Sequence, residues 1–79
     1  MEIGLLGATG PAGRALAARL AVVGHDVVLG SRSKYRAMEV RDEIMERWPD
    51  RDLAIRSADN AGAADAEVVI AGPNFGRNS

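Results

Sequence analysis

Three glycines spaced three apart, Gly7, Gly10 and Gly13, constrain this chain more than any other feature. They follow a short apolar run, Ile3 to Leu6, and precede an Ala/Leu-rich segment with helical spacing. A strand, a glycine turn and a helix in that order open a dinucleotide-binding βαβ unit. Gly7 lets the chain leave the strand in a tight turn that a side chain would obstruct. Gly10 removes a Cβ where the backbone approaches a pyrophosphate, and Gly13 lets the helix pack close on the strand. Pro11 suits a first helical position, where a missing N–H costs nothing. Ala12 follows it in the same turn. The free N–H groups and the helix dipole at that end attract an anion, and Thr9 adds a hydroxyl. The spacing is G-x-x-G-x-x-G rather than the commoner G-x-G-x-x-G. Such turns also open helices that bind nothing, so the second strand at the right distance is what favours the ligand reading.

The 79 residues allow one small domain, residues 1–79. A chain of this size buries roughly 60% of its unfolded surface and is marginally stable. Without cysteine there is no disulfide framework and no thiolate metal site, and a single histidine argues against an imidazole site, so no metal is expected. A net charge of −1, with both signs spread along the chain, gives no electrostatic attraction for nucleic acid. No apolar run is long enough to span a membrane. The N-terminus lacks the basic region of a signal peptide, and a soluble cytoplasmic protein is the expectation.

Along the chain, residues 2–6 form the first expected strand. The first helix is expected from Pro11 to Val23, with Ala12, Leu16, Leu20 and Val23 on its apolar face. Gly24 is placed to cap it in a left-handed conformation, and His25 reads as a solvated turn residue. Val27 to Leu29 make a second, buried strand. A second helix is expected from Lys34 to Trp48, with Ala37, Val40, Ile44 and Trp48 as its core stripe and Pro49 as its stop. Leu53 to Arg56 alternate as in a half-exposed edge strand. Asp59 caps a short helical turn through Ala64, and Glu67 to Ala71 make the fourth strand. The fold class that results is α/β: a partial Rossmann fold with a parallel four-stranded sheet of order 3-2-1-4 and helices on both faces.

The second determinant follows strand two. NAD-binding units place a carboxylate there for the ribose hydroxyls. Here the position is held by Ser31, with Arg32, Lys34 and Arg36 behind it. A serine hydroxyl and cations hold a 2′-phosphate that a carboxylate would repel, and Arg32 has a planar guanidinium able to stack on adenine. Cations at a helix N-terminus oppose its dipole, which is a local cost with a use if a phosphate lies there. NADP(H) is therefore expected over NAD(H).

The runs Gly4-Leu-Leu-Gly-Ala-Thr-Gly-Pro-Ala-Gly13 and Gly24-His-Asp-Val-Val-Leu-Gly-Ser-Arg-Ser33 resemble the N-terminal domain of the NADPH-dependent reductases of the deazaflavin coenzyme F420. The run Ser31 to Glu39 looks like the actinobacterial branch, and the resemblance covers residues 1–71. It implies NADP(H) as cofactor and coenzyme F420 as co-substrate, with hydride passing between nicotinamide C4 and deazaflavin C5. It implies that Thr9 and Gly10 to Gly13 hold the pyrophosphate, and that Ser31 and Arg32, assisted by Arg36, hold the 2′-phosphate. It implies no catalytic side chain, because aligning the two rings is the main contribution of the protein.

Two departures stand out. The family reads Ala-Thr-Pro-Trp after strand four, whereas this chain reads Ala71-Gly72-Pro73-Asn74. The family also continues into further strands and the rest of the deazaflavin pocket. The expectation is thus a first half of such an enzyme, inactive alone, with a frame or boundary change near Gly72. An uncovered fourth strand from Val68 to Ala71 would expose an apolar edge and favour a homodimer or aggregation. The glycine turn also resembles atypical short-chain dehydrogenases and their redox-sensing relatives, and a half-Rossmann module that only senses NADP(H) is a third reading.

Overall fold

The computed structural model describes residues 1–71. The elements are β1 (Glu2–Leu6), α1 (Pro11–Val22), β2 (Asp26–Ser31), α2 (Lys34–Arg47), β3 (Ile55–Asp59), α3 (Asn60–Ala63) and β4 (Val68–Ala71). All strand pairs are parallel, and the order is β3-β2-β1-β4, as the sequence predicts. The run Gly72 to Asn74, where the sequence departs from the family pattern, lies outside the described residues.

The pleat sorts the strands into two unlike faces. Ile3 and Leu5 of β1, Val27 and Leu29 of β2 and Ile55 of β3 share one face and enter the main core with Ala17, Ala21, Val40 and Ile44 of α1 and α2. Gly4 and Gly30 lie on the opposite face, under α3. A Cβ added at Gly4 would collide with the Ala63 carbonyl oxygen, and one at Gly30 would come within 2.6 Å of the Ala63 Cβ. The one-turn α3 therefore sits directly on the backbone of Gly4 and Gly30, and Val28, in register with Gly4, is buried on the same face.

Local signals explain the helix ends. Pro11 occupies the start of α1 after Gly10 as N-cap. At the other end Gly24 adopts φ +103°, donates to Ala21 O at 3.0 Å, and lets His25 N donate to Leu20 O at 3.1 Å. These two bonds are a Schellman motif, which needs a left-handed residue at that position. Ser33 caps α2, its hydroxyl accepting from Arg36 N at 3.4 Å.

Four expectations are corrected. The stripe that α1 buries is Gly13, Ala17 and Ala21, while Leu16 and Leu20 flank it half-buried and Val23 is 71% exposed. Gly13 brings the helix so close to the β1–α1 turn that small residues must face the sheet. The second helix ends at Arg47, and Trp48 is a half-exposed C-cap rather than core. It precedes Pro49, whose ring disfavours helical backbone in the residue before it, and Trp48 turns out at φ −126°, ψ 57°. The strand expected at Leu53 to Arg56 runs instead from Ile55 to Asp59. Leu53 is buried but precedes the ladder, and Ser57, Ala58 and Asp59 continue it because β2 itself extends to Ser31 as their partner. The extension of β2 beyond Leu29 is the fourth.

On the other side of the sheet β4 is the outermost strand among the described residues, with Val68 and Val69 exposed. No helix among the described residues is long and apolar enough to cross a membrane. No cluster of three or more potential metal-binding side chains occurs among them either.

Candidate dinucleotide site

The β1–α1 turn sits at the C-terminal end of β1, next to the C-terminal end of β2. Ligands of open parallel sheets bind outside the carboxyl ends of the strands, where the order changes direction. In this sheet the change falls at β1, between β2 and β4.

Each glycine of the turn has a distinct setting. Gly7 adopts φ +64°, the left-handed region that side chains disfavour. Its N–H donates to Asn60 Oδ1 at 2.9 Å. Gly13 is pressed against the turn: a Cβ there would lie 2.7 Å from Ala8 O and 2.8 Å from Ala8 Cα. Gly10 is the opposite case. Its φ is −79°, which any residue adopts, and a Cβ on it would meet nothing within 4 Å. Neither conformation nor packing within the chain calls for glycine at position 10.

The turn is tied down from several sides. Ala8 is fully buried and its N–H donates to Gly30 O at 3.0 Å, joining the turn to β2. Arg14 N donates to Gly10 O at 3.0 Å, the first helical bond, and the Arg14 side chain donates to Thr9 O at 3.2 Å. The same guanidinium bridges to Glu43 of α2 at 2.6 Å. Helix geometry leaves the N–H groups of Ala12 and Gly13 without intrahelical partners, and Pro11 has none to offer. No acidic residue occupies the first turn of α1.

The second determinant lies one strand over. Ser31 ends β2 with only 7% of its surface exposed. Its Oγ accepts from Ser33 N at 3.4 Å, which leaves the hydroxyl proton free to be donated. Arg32, Lys34 and Arg36 are exposed, and among the described residues none of the three pairs with a carboxylate, whereas Arg14, Arg41 and Arg56 each do. The first turn of α2 also lacks an acidic residue. A hollow of about 390 Å³ opens between the start of α2 and the end of β3, lined by Lys34, Tyr35, Met38, Ser57, Ala58 and Asp59. A larger cleft of about 830 Å³ begins at Pro11 and Arg14 and runs between α1 and α2 past Ala18 and Ile44 to Trp48.

The structure thus brings Gly7, Thr9, Gly10, Pro11, Ala12, Gly13, Ser31 and Arg32 to one end of the sheet, with Arg36 one turn into α2. Sequence reasoning missed Asn60. It reads there as part of a short helix start behind Asp59, and nothing local shows its bond to a residue 53 positions earlier.

A family model described as NADP oxidoreductase, coenzyme F420-dependent, matches residues 2–76. The chain belongs to this family. Within it, an F420-dependent NADP reductase of Methanothermobacter marburgensis is 42% identical over 71 residues, which are 89% of this chain and 32% of that protein. A second F420-dependent NADP reductase, from Methanothermobacter thermautotrophicus, is 37% identical over 71 residues, 89% of this chain and 31% of that protein. The chain spans about a third of the length of these F420-dependent relatives.

Proposed function

We propose that these residues bind NADP(H), serving as the dinucleotide half of an oxidoreductase that exchanges hydride with coenzyme F420. The observation that carries the reading is the setting of Gly10. Neither packing nor φ requires glycine there, and its place as N-cap is served as well by serine, asparagine or aspartate. It stands at the N-terminus of a helix whose first N–H groups lack intrahelical partners. A ligand backbone approaching there supplies the missing reason.

The residues fit the cofactor. The N–H groups of Ala12 and Gly13, with the Thr9 hydroxyl, would take the pyrophosphate. Ser31 would donate its hydroxyl to a 2′-phosphate, and Arg32 and Arg36 would neutralise it. That these cations pair with no carboxylate among the described residues, and that the first turn of α2 lacks one, supports NADP(H) over NAD(H). When bound, NADPH supplies a hydride from nicotinamide C4. In this reading the side chains named above serve as neither acid nor base, and their contribution is to hold one ring in place for the other. Self-association through β4, the outermost strand among the described residues, and a cytoplasmic location, where NADP(H) is held, belong to the same reading.

Calorimetric titration of the purified chain with NADP⁺, and separately with NAD⁺, tests it. The expected result is NADP⁺ binding with NAD⁺ at least tenfold weaker, a gap of about 1.4 kcal/mol. Equal affinities would remove the role given to Ser31 and Arg32. Binding of neither would remove the reading for this chain.

A further inference from the structure

We propose that Asn60 is a positioning residue for the dinucleotide site, holding the glycine turn from the far side of the sheet. The proposal rests on the cofactor reading above. It starts from the conformation of Gly7. Gly7 stands one residue past β1, where its left-handed φ turns the following chain off the strand line, and among the described residues its own N–H finds no backbone acceptor. Asn60 Oδ1 accepts it at 2.9 Å.

Three further features place the Asn60 amide. Asp59 pairs in register with Ser31 at the end of β3. Its carboxylate accepts from Gly62 N at 2.8 Å and fixes Asn60 as the first residue of α3. Gly30 then leaves room, since a Cβ on it would stand 3.2 Å from Asn60 Oδ1. Gly30 also accepts the Ala8 N–H through its carbonyl. Two consecutive N–H groups of the turn, those of Gly7 and Ala8, are therefore held by β2 and by the β3–β4 crossover together. Everything downstream in the turn, including the N–H groups of Ala12 and Gly13, is carried on that anchor.

The side-chain chemistry fits the position. A carboxylate would accept the same N–H but place a negative charge beside a turn that binds an anion. An amide accepts without the charge. The long-range bond also makes the affinity of the site depend on the α3 crossover, although α3 contributes no group to the cofactor in this account.

The test pairs amide hydrogen exchange with NADP⁺ titration on the full chain. Asn60→Ala is expected to speed exchange at Gly7 while the amides of Leu5 and Leu29 stay protected, and to weaken NADP⁺ and NAD⁺ binding alike by about tenfold. Asn60→Asp is expected to keep Gly7 protected, because the acceptor is restored. Gly7 exchange unchanged in Asn60→Ala, affinity within twofold of the parent, or free exchange at Gly7 in a folded Asn60→Asp would each overturn the proposal. If Asn60→Ala does not fold, the Asn60→Asp result decides. If the parent chain binds neither dinucleotide, the cofactor reading fails by itself, and exchange at Gly7 still decides whether Asn60 holds the turn.

Discussion

Replacing Gly10 and Gly13 by alanine, one at a time, separates a glycine kept for a ligand from a glycine kept for packing. At Gly10 the added methyl enters open space, and φ is −79°. The gain from a stiffer unfolded chain is about 0.4–1 kcal/mol. Gly10 is also the N-cap of α1, where alanine is poorer than glycine by roughly 0.5–1 kcal/mol. The two terms cancel, so the stability of Gly10→Ala should lie within about 0.5 kcal/mol of the parent. At Gly13 the same methyl would stand 2.7–2.9 Å from three backbone atoms of Ala8. Backbone does not move aside cheaply, and overpacking of this kind costs about 1–3 kcal/mol. Because the atoms met are backbone, the upper part of that range, about 2–3 kcal/mol, applies. The better helix propensity of alanine returns about 1 kcal/mol, which leaves a net loss of roughly 1–2 kcal/mol. In a domain of this size each kcal/mol moves Tm by about 4–8 °C. Thermal unfolding followed by circular dichroism should therefore leave Gly10→Ala near the parent and lower Gly13→Ala clearly. NADP⁺ titration should show at least a tenfold loss for both. A stable Gly10→Ala that binds NADP⁺ like the parent would refute the placement of a pyrophosphate at that turn.

Arg32→Ala should weaken NADP⁺ at least tenfold and NAD⁺ much less, measured by the same titrations, because the 2′-phosphate loses its ion pair while a contact with adenine is shared by both cofactors. Gly4→Ala should be the most damaging small change, costing about 3 kcal/mol or more, since its methyl collides with the Ala63 carbonyl; a urea midpoint close to that of the parent would contradict the tight seating of α3. Val69→Lys on the exposed edge strand should suppress concentration-dependent self-association in light scattering. A parent chain that stays monodisperse at high concentration would remove the premise.

Much of the architecture is legible because it rests on local signals. The glycine spacing, Pro11, Gly24 and Pro49 fix turns and helix ends within a few residues, and the runs Ile3 to Leu6 and Val27 to Leu29 mark the central strands. What escapes a sequence reading depends on how closely elements approach. Hydropathy favours Leu16, Leu20 and Val23 as the buried face of α1, but Gly13 draws the helix in until only Gly13, Ala17 and Ala21 fit. Trp48 is apolar and at helical spacing, yet the following proline ends the helix one residue too early for it to reach the core. Ser57 to Asp59 carry no strand signal and become strand by pairing with β2. In the candidate site, the residues on the β1–α1 turn and after β2 are visible as contiguous motifs. Asn60 is not, because its role is a single hydrogen bond across 53 residues of chain.

The contrast between the two faces of the sheet has a consequence for how the protein tolerates change. On the α1 and α2 face, Ile3, Leu5, Val27, Leu29 and Ile55 interlock as side chains, and such a surface accepts exchanges that keep total volume. On the α3 face, Gly4 and Gly30 meet Ala63 with no side chain to trade. A comprehensive substitution library scored for folded protein should therefore map the sheet as two different materials. One side would be soft to conservative swaps between branched residues. The other would be brittle at Gly4 and Gly30 to the addition of a single methyl group.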